Sequence, residues 1–167
     1  MFLDIDKKDP DNVAALGEDG NSITYGELVS YSRRLDEMIP ERSLFFIMCR
    51  NVIGSLLAYV SCLASRNVPL LLSADIDDEM FGYLVDSYHP GYLWVPADIK
   101  DKVCNLTGAS PVPGIMEQYG YCVVGLDYDR VPTYKELALL LTTSGSTGSP
   151  KLVRQSYSNI EANAASI

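Results

Sequence analysis

The middle of the chain alternates short, unbroken apolar runs with longer amphipathic segments, and few folds accommodate that alternation. The apolar runs are SLFFIMC (43–49), NVPLLL (67–72) and GYLWVP (91–96), each the length of one strand. Segments 52–64 and 77–88 between them repeat apolar residues at helical spacing. Strands that are apolar on both faces need helices on both sides of the sheet. The sequence therefore predicts an α/β fold with a mostly parallel sheet, built on a βαβαβ unit and flanked by helices.

The N-terminal flank adds a helix to this unit. Thr24 and Glu27 have the spacing of a capping box, and apolar residues then recur every three or four positions. A helix is therefore predicted to begin near Tyr25. Downstream, residues 98–106 predict a weak helical turn, and residues 120–129 predict a short strand followed by an acidic turn.

The C-terminal residues predict a helix that begins at Ser158. It would stop at Ile167 without a capping glycine or a basic last turn, which is not a natural helix end. We therefore expect a single domain over residues 1–167 that is truncated at its C-terminal side.

The charge of the chain excludes several classes of partner. Thirteen Lys and Arg against 22 Asp and Glu give a net charge of −9, without a basic cluster. Nucleic acid and anionic membranes would be repelled at long range, so neither is expected as a partner. The N-terminus lacks an apolar signal-peptide core, and the longest apolar stretch, 52–64, is too short to span a bilayer. We expect a cytoplasmic protein.

The cysteines and the single histidine do not form a recognisable metal motif. Cys49, Cys62, Cys104 and Cys122 are widely spaced, and no CxxC pair occurs. We expect free thiols in a reducing compartment and no zinc site. His89 stands in a Tyr-His-Pro-Gly sequence and is expected to be a turn residue.

Residues 139–155, LLLTTSGSTGSPKLVRQ, place a loop of Gly, Ser, Thr, Pro and Lys between two apolar runs. Gly145 and Gly148 allow the backbone to fold tightly, so that several N–H groups can face one point. The Ser and Thr hydroxyls add donors, and Lys151 supplies a cation. Charge-assisted hydrogen bonds of this kind contribute about 1.5–3 kcal/mol each. The sequence therefore predicts a β-hairpin whose loop binds polyphosphate.

Several interpretations of this loop remain open from the residues alone. A Walker A loop, as in a P-loop NTPase or phosphotransferase, needs a helix that starts at its lysine. Here Pro150 precedes Lys151 and the following residues are apolar and β-branched, so strand 137–143 and a second strand are predicted instead. A solvated turn without a ligand is the third interpretation. For the chain as a whole, a further interpretation is a noncatalytic α/β module that binds a partner, or a second copy, through an exposed apolar face.

The segment TTSGSTGSPK (142–151) resembles the signature loop of the adenylate-forming superfamily, which includes acyl-CoA synthetases, adenylation domains of peptide synthetases, and luciferases. ITYGELVSYSRRL (23–35) resembles the opening helix of that family. LLAYVSCLASRNVPLLLSADI (56–76) resembles its segment A-x-L-G-x-L-K-A-G-A-x-x-V-P-L. The three matches occur in the order of the family and span nearly the whole chain. The chain is thus similar to the N-terminal portion of the large adenylation domain.

The resemblance implies a two-step ligase that uses ATP and Mg²⁺. A carboxylic acid attacks the α-phosphate, pyrophosphate leaves, and a thiol or amine takes the acyl group from the acyl-adenylate. CoA, a carrier protein or a free amine could be that acceptor. A loop on the β- and γ-phosphates would position ATP and stabilise the leaving pyrophosphate. The residues implied to bind ATP are Thr143, Ser144, Gly145, Ser146, Thr147, Gly148 and Lys151.

The chain departs from the family pattern at two places and lacks later segments. Tyr157 stands where the family often has a histidine near the carboxylate, and SRN (65–67) replaces the usual Lys-Ala-Gly. The adenine-, ribose- and magnesium-binding segments of the family, and the lysine of its C-terminal domain, lie beyond residue 167. We therefore expect the chain alone to be inactive and to expose apolar surface through which it self-associates.

Overall fold

The computed structural model of the chain describes residues 1–115, 117–129, 132–142 and 152–166. Its strands are β1 (Val13–Leu16), β2 (Ser22–Thr24), β3 (Leu44–Cys49), β4 (Val68–Ser73), β5 (Tyr92–Pro96), β6 (Ser110–Pro111), β7 (Tyr121–Gly125), β8 (Leu137–Thr142) and β9 (Leu152–Ser156). Its α-helices are α1 (Tyr25–Met38), α2 (Ile53–Ala64), α3 (Asp78–Tyr88), α4 (Lys100–Thr107) and α5 (Tyr157–Ala165). Short 3₁₀ helices, Phe2–Lys7 and Ala97–Ile99, precede β1 and α4.

The main sheet has the strand order β6-β7-β5-β3-β4-β8-β9. Strands β5, β3, β4 and β8 run parallel, with Phe46 paired to both Leu70 and Leu93, and Leu70 paired in turn to Leu140. Strand β7 is antiparallel to β5, and β9 is antiparallel to β8. The sheet is therefore mixed: the predicted parallel βαβαβ unit forms its centre, and antiparallel strands flank it.

The chain crosses the sheet in opposite directions after β3 and after β4. From β3 it passes through α2 to β4, and from β4 it passes through α3 to β5, on the other side of β3. Because parallel crossovers keep one hand, two opposite crossings place their helices on opposite faces. Helices α1 and α2 accordingly pack on one face, and α3 and α4 pack on the other. Both faces of the central strands are covered, as their apolar runs predict.

Successive residues of β3 enter two separate cores. Phe45 and Ile47 pack with α1 and α2, whereas Phe46 and Met48 pack with α3 and α4. Trp94 of β5 is fully buried in the first of these cores. An aromatic side chain of this size removes about 150–250 Å² of surface from water. The centre of the sheet is therefore the most protected part of the fold that the structure describes.

Helix α1 begins at Tyr25, as predicted, and its capping box is formed. The Thr24 hydroxyl accepts the N–H of Glu27 at 3.2 Å, and the Glu27 carboxylate accepts the N–H of Thr24 at 2.8 Å. Strands β1 and β2, directly before this helix, pair antiparallel in a small separate sheet. This pair was not predicted, because its strands are short and mostly half-buried or exposed.

Two helices differ from their predicted extent. The weak turn expected at 98–106 is a 3₁₀ turn that leads into α4, which ends at Gly108 in the left-handed conformation, at φ 74°. Helix α5 begins at Tyr157, one residue earlier than predicted, because the hydroxyl of Ser156 accepts the N–H of Asn159 and caps the helix.

His89 and the four cysteines have structural surroundings. His89 ends α3 in the left-handed conformation, as its turn sequence predicts, and its ring stacks on Tyr128 with centroids 4.6 Å apart. The four thiols are free, and Cys62 is fully buried. Burial raises the pKa of the Cys62 thiol, which keeps it protonated and unreactive at neutral pH.

Candidate functional site

The last two strands form the hairpin that the sequence predicts. Strand β8 lies parallel to β4, and β9 returns antiparallel to β8, with Thr142 paired to Leu152. The predicted phosphate-binding residues connect these strands and lie outside the described residues: Thr143, Ser144, Gly145, Ser146, Thr147, Gly148 and Lys151. The residues that follow Lys151 form a strand where a Walker A loop requires a helix. The P-loop NTPase interpretation is therefore not supported.

Strand β8 brings the hairpin to the carboxyl edge of the parallel strands. Because β8, β4 and β3 run in one direction, Thr142 lies at the same edge as Ser73 and Cys49, the last residues of β4 and β3. In open α/β sheets, ligands bind outside the carboxyl ends of the strands. The strand ends on both sides of residues 143–151 therefore lie at the edge where this class of fold binds ligands.

A crevice of about 280 Å³ opens at the same edge, beside the ends of β3 and β4. The crossover after β3 leads to α2 on one face of the sheet, and the segment after the neighbouring strand β5 leads to α4 on the other face, so a topological switch point lies between β3 and β5. The crevice has an apolar floor and a charged rim. Its floor includes Met48, Phe81 and Val103, and its rim includes Arg50, Asp75 and Lys102.

The cations on the rim of the crevice are paired. The guanidinium of Arg50 donates two hydrogen bonds of 2.9 Å to the carboxylate of Asp98. This pairing raises the pKa of Arg50 and lowers the pKa of Asp98. The ammonium of Lys102 lies 2.6 Å from the carboxylate of Asp78. Both pairs are open to solvent and are therefore screened by water and salt.

The turn between β3 and α2 is fixed by two hydroxyl groups. The backbone N–H of Arg50 lies 3.0 Å from the Ser55 hydroxyl and 3.1 Å from the Tyr121 hydroxyl, and these hydroxyls lie 2.9 Å apart. Gly54 allows the Tyr121 ring to approach α2, since a Cβ at position 54 would lie 2.2 Å from a ring carbon. Contacts from β7 therefore set the backbone that carries the rim of the crevice.

Tyr157, at the position of the family's histidine, lies at the opposite edge of the sheet. Strand β9 runs back toward the amino edge, and α5 begins there with Tyr157. The ring meets Phe2 edge-on at 5.9 Å between centroids, and the guanidinium carbon of Arg66 lies 5.5 Å from the ring centroid. Burial raises the pKa of the Tyr157 hydroxyl. The residue is thus part of the packing at the base of the hairpin, a full strand away from Leu152.

Arg42 also contacts the base of the hairpin, and it was not predicted as a site residue. Its guanidinium donates to the carbonyl oxygens of Lys135 and Leu137. Lys135 and Leu137 follow Arg42 in the sequence by 93 and 95 positions. No local pattern marks such a contact, because it depends on the order of the strands in the sheet.

Neither a metal-binding cluster of side chains nor a membrane-spanning helix occurs in the described ranges. Within residues 1–115, 117–129, 132–142 and 152–166, no group of three His, Cys, Asp or Glu side chains could hold a metal ion. In the same part of the chain, each helix is too short or too polar to cross a membrane.

A relative with a curated description is similar to this chain over almost its whole length. Gramicidin S synthase 2 from Brevibacillus brevis is 24% identical over 167 residues, which covers 96% of this chain and 4% of that protein. The chain therefore spans only a small part of the length of this relative.

Solved structures share the fold. O-succinylbenzoate coenzyme A synthetase (MenE) from Bacillus subtilis, in complex with ATP and magnesium ion, matches with a TM-score of 0.67 at 20% identity, over 99% of this chain and 45% of that one. ATP-bound MatB from Rhodopseudomonas palustris matches with a TM-score of 0.72 at 17% identity, over 98% of this chain and 36% of that one. A family model described as AMP-binding enzyme matches residues 3–167. Because that match leaves out only the first two residues, the chain belongs to the family of AMP-binding enzymes.

Proposed function

We propose that this chain is the N-terminal part of an ATP-dependent, AMP-forming ligase, which activates a carboxylic acid as an acyl-adenylate, and that residues 143–151 hold the phosphates of ATP. The observation that carries the proposal is the antiparallel pairing of β8 and β9 on both sides of a Ser-, Thr- and Gly-rich segment that ends in Lys151. Membership of the AMP-binding family supports it. The position of the hairpin at the carboxyl edge of the parallel strands also supports it.

The donors in this segment fit the phosphates of ATP. In the proposed role, Thr143, Ser144, Gly145, Ser146, Thr147 and Gly148 donate N–H or O–H groups to phosphate oxygens, and Lys151 pairs with their charge. A chain of net charge −9 offers no general attraction to an anion, so the affinity must come from such a local set of donors. Bound Mg²⁺ would neutralise phosphate charge and favour the departure of pyrophosphate.

We further propose that residues 1–167 form a single domain, the N-terminal portion of a larger adenylation domain. The chain covers less than half of MenE and of MatB, which supports a division of the active site among further segments. His89, the only histidine, ends α3 just before β5 begins, at the edge of the sheet opposite to Thr142. The chain alone is therefore proposed to be inactive. The complete enzyme would transfer the acyl group of a small-molecule carboxylic acid to CoA, a carrier protein or an amine.

The proposed enzyme acts in the cytoplasm and its fragment self-associates. Use of ATP and the four free thiols suit a reducing, nucleotide-containing compartment. Leu3, Leu16 and Tyr134 are large exposed apolar side chains, and burial of such side chains against a second copy would be favourable. Sedimentation of the chain over a range of concentrations tests the proposed self-association, and a monomer at all concentrations would contradict it.

Calorimetric titration of the chain with ATP·Mg²⁺ and with pyrophosphate tests the phosphate-binding role. Lys151→Ala removes the proposed cation, and Lys8→Ala removes an exposed lysine near the N-terminus as the matched control. We expect saturable binding by the wild type and by Lys8→Ala, and binding that is weaker by about tenfold or more in Lys151→Ala.

Two outcomes would contradict the proposal. No binding of either ligand by the wild type would show that this chain does not hold phosphate by itself. Equal binding by all three proteins would show that Lys151 is not part of the site. A pyrophosphate–ATP exchange assay on the chain, with a panel of carboxylic acids, tests the proposal that the chain alone is inactive. Any exchange would contradict it.

A further inference from the structure

The register of the β8–β9 hairpin changes once, near its base. Leu137 pairs with Ser156, but Leu139 pairs with Gln155. Strand β8 therefore contains one residue more than β9 over this interval, and the extra residue is Ala138. One extra residue in one strand of an antiparallel pair is a β-bulge, a feature that occurs often beside functional sites.

The bulge determines how the two strands meet at the far end of the hairpin. With it, Thr142 pairs with Leu152, and residues 143–151 connect the pair. If the register at the base continued without a bulge, Leu141 would lie opposite Leu152 and the connection would be one residue longer. Because side chains alternate along a strand, a shift of one residue changes every cross-strand pair beyond the base. The bulge thus fixes the two points from which residues 143–151 start and end.

The carbonyl groups at the entry to β8 are held by side-chain and backbone donors. The Nη1 group of Arg42 donates to the carbonyl of Lys135 at 2.8 Å, and its Nη2 group donates to the carbonyl of Leu137. Between these, the carbonyl of Glu136 accepts the backbone N–H of Tyr157 at 3.3 Å. Three successive carbonyls are therefore held beside the bulge, and one guanidinium holds two of them.

The chemistry and location of Arg42 suit this role. A bulge interrupts the ladder of backbone hydrogen bonds, so a carbonyl beside it needs another partner. The planar guanidinium presents donors in a fixed fork that can hold two carbonyls at once, which a lysine cannot do in the same geometry. Arg42 precedes β3, and β4 lies between β3 and β8. The side chain therefore ties the hairpin to the buried centre of the sheet across one intervening strand.

We propose that Arg42 is a positioning residue, which fixes the bulge at Ala138 and thereby the register in which β8 and β9 present residues 143–151. This inference rests on the proposed function, because the register matters for activity only if those residues hold phosphate. An arginine that merely stabilised the fold would affect the melting temperature without affecting the register or the affinity for phosphate.

Two substitutions at Arg42 and one deletion test the proposal. Arg42→Gln removes the fork, and Arg42→Lys keeps the charge and a single donor group. Deletion of Ala138 removes the bulge while Arg42 stays. Arg33→Gln, at an exposed position of α1, is the matched control for the loss of one positive charge.

The readouts are the cross-strand NMR contacts of β8 with β9 and the affinity for pyrophosphate. Both are measured at a temperature at which circular dichroism shows each variant to be folded. In Arg42→Gln we expect loss of the contact between Leu139 and Gln155, and pyrophosphate binding weaker by about tenfold. Arg42→Lys should fall between this variant and the wild type. Deletion of Ala138 should weaken binding as much as Arg42→Gln does, and Arg33→Gln should match the wild type in both readouts.

The two readouts separate the failure of this inference from the failure of the proposed function. An unchanged register in Arg42→Gln would overturn the inference, whatever the affinity. A changed register with unchanged affinity would overturn the positioning role. If the wild type bound no pyrophosphate, the proposed function and the positioning role would both fail. The NMR register of the Arg42 variants would still show whether Arg42 holds the bulge. If Arg42→Gln did not fold, Arg42→Lys would decide, since a wild-type register and affinity in that variant would contradict the need for the fork.

Discussion

The centre of the sheet and its C-terminal edge are stabilised by different interactions. Strands β3, β4 and β5 are buried on both faces between two layers of helices. In contrast, β9 has no fully buried residue, and neither does α5. The edge is held by backbone pairing with β8, by polar contacts at the base of the hairpin, and by the packing of Leu152 and Tyr157. The comparison shows that β9 and α5 add little to the two cores, whereas β8, the inner strand of the hairpin, enters one of them through Leu140.

The largest expected effect contrasts one residue from each region. Phe46 is fully buried and its ring lies 6.5 Å from that of Phe81 between centroids, whereas Val153 on β9 is 38% exposed. We expect Phe46→Ala to lower the free energy of unfolding by about 3–5 kcal/mol. Val153→Ala should lower it by less than about 1 kcal/mol. Urea denaturation followed by circular dichroism measures both, and similar losses would show that the edge is packed like the centre.

Gly54 on α2 and Gly82 on α3 differ in how closely other atoms pack against them. A Cβ at Gly54 would lie 2.2 Å from the Tyr121 ring and 2.8 Å from the carbonyl oxygen of Tyr119, whereas a Cβ at Gly82 would meet nothing within 4 Å. We expect Gly54→Ala to destabilise the protein by about 1–3 kcal/mol through overpacking. Gly82→Ala should stabilise it by about 0.5–1 kcal/mol, because alanine is the better helix former. Thermal unfolding of both variants decides, and a stable Gly54→Ala protein would show that β7 can move away from α2.

The smallest effect at neutral pH concerns a partly buried tyrosine. Tyr31 packs on Trp94 with ring centroids 5.5 Å apart, and burial raises its pKa to about 12, above the value of about 10 in an unfolded chain. Its contribution to stability is therefore fully present below pH 10 and is lost as the pH rises toward 12. Across that window, stability should fall less steeply in Tyr31→Phe than in the wild type.

The control for this titration lies near the hairpin. Tyr134 is 76% exposed, so Tyr134→Phe is the matched control for the loss of one tyrosine hydroxyl outside the packed interior. Urea denaturation at a series of pH values provides the curves. If Tyr31→Phe and the wild type had the same slope between pH 10 and 12, burial of Tyr31 would not oppose its ionisation.

The elements of the centre could be predicted from the sequence because their signals are local. The runs at 43–49, 67–72 and 91–96 lie within about one residue of β3, β4 and β5, since an unbroken apolar run leaves little choice of structure. The capping box at Thr24 fixed the start of α1 in the same way. By contrast, the antiparallel position of β7 beside β5 depends on a pairing between distant segments, and no residue in 120–129 specifies it.

The candidate site was predicted in part. Composition and resemblance identified residues 143–151 and predicted the strands around them, and the structure contains both strands. The binding role of those residues stays a prediction, because they lie outside the described residues. The crevice near Arg50 and the contacts of Arg42 could not be predicted, because both arise from the order of strands in the sheet rather than from neighbouring residues.

The long sequence separation between Arg42 and its carbonyl partners has a consequence for biosynthesis. Because 93 positions separate Arg42 from Lys135, a ribosome that adds roughly 5–20 residues per second needs roughly 5–20 s to make the second after the first. During that interval β3, β4 and β5 are already available to fold, while the two carbonyl partners of the guanidinium have not yet been made. The hairpin is thus added to strands made seconds earlier, and β8 brings the last buried residues of one core together with the strand that leads to the candidate site.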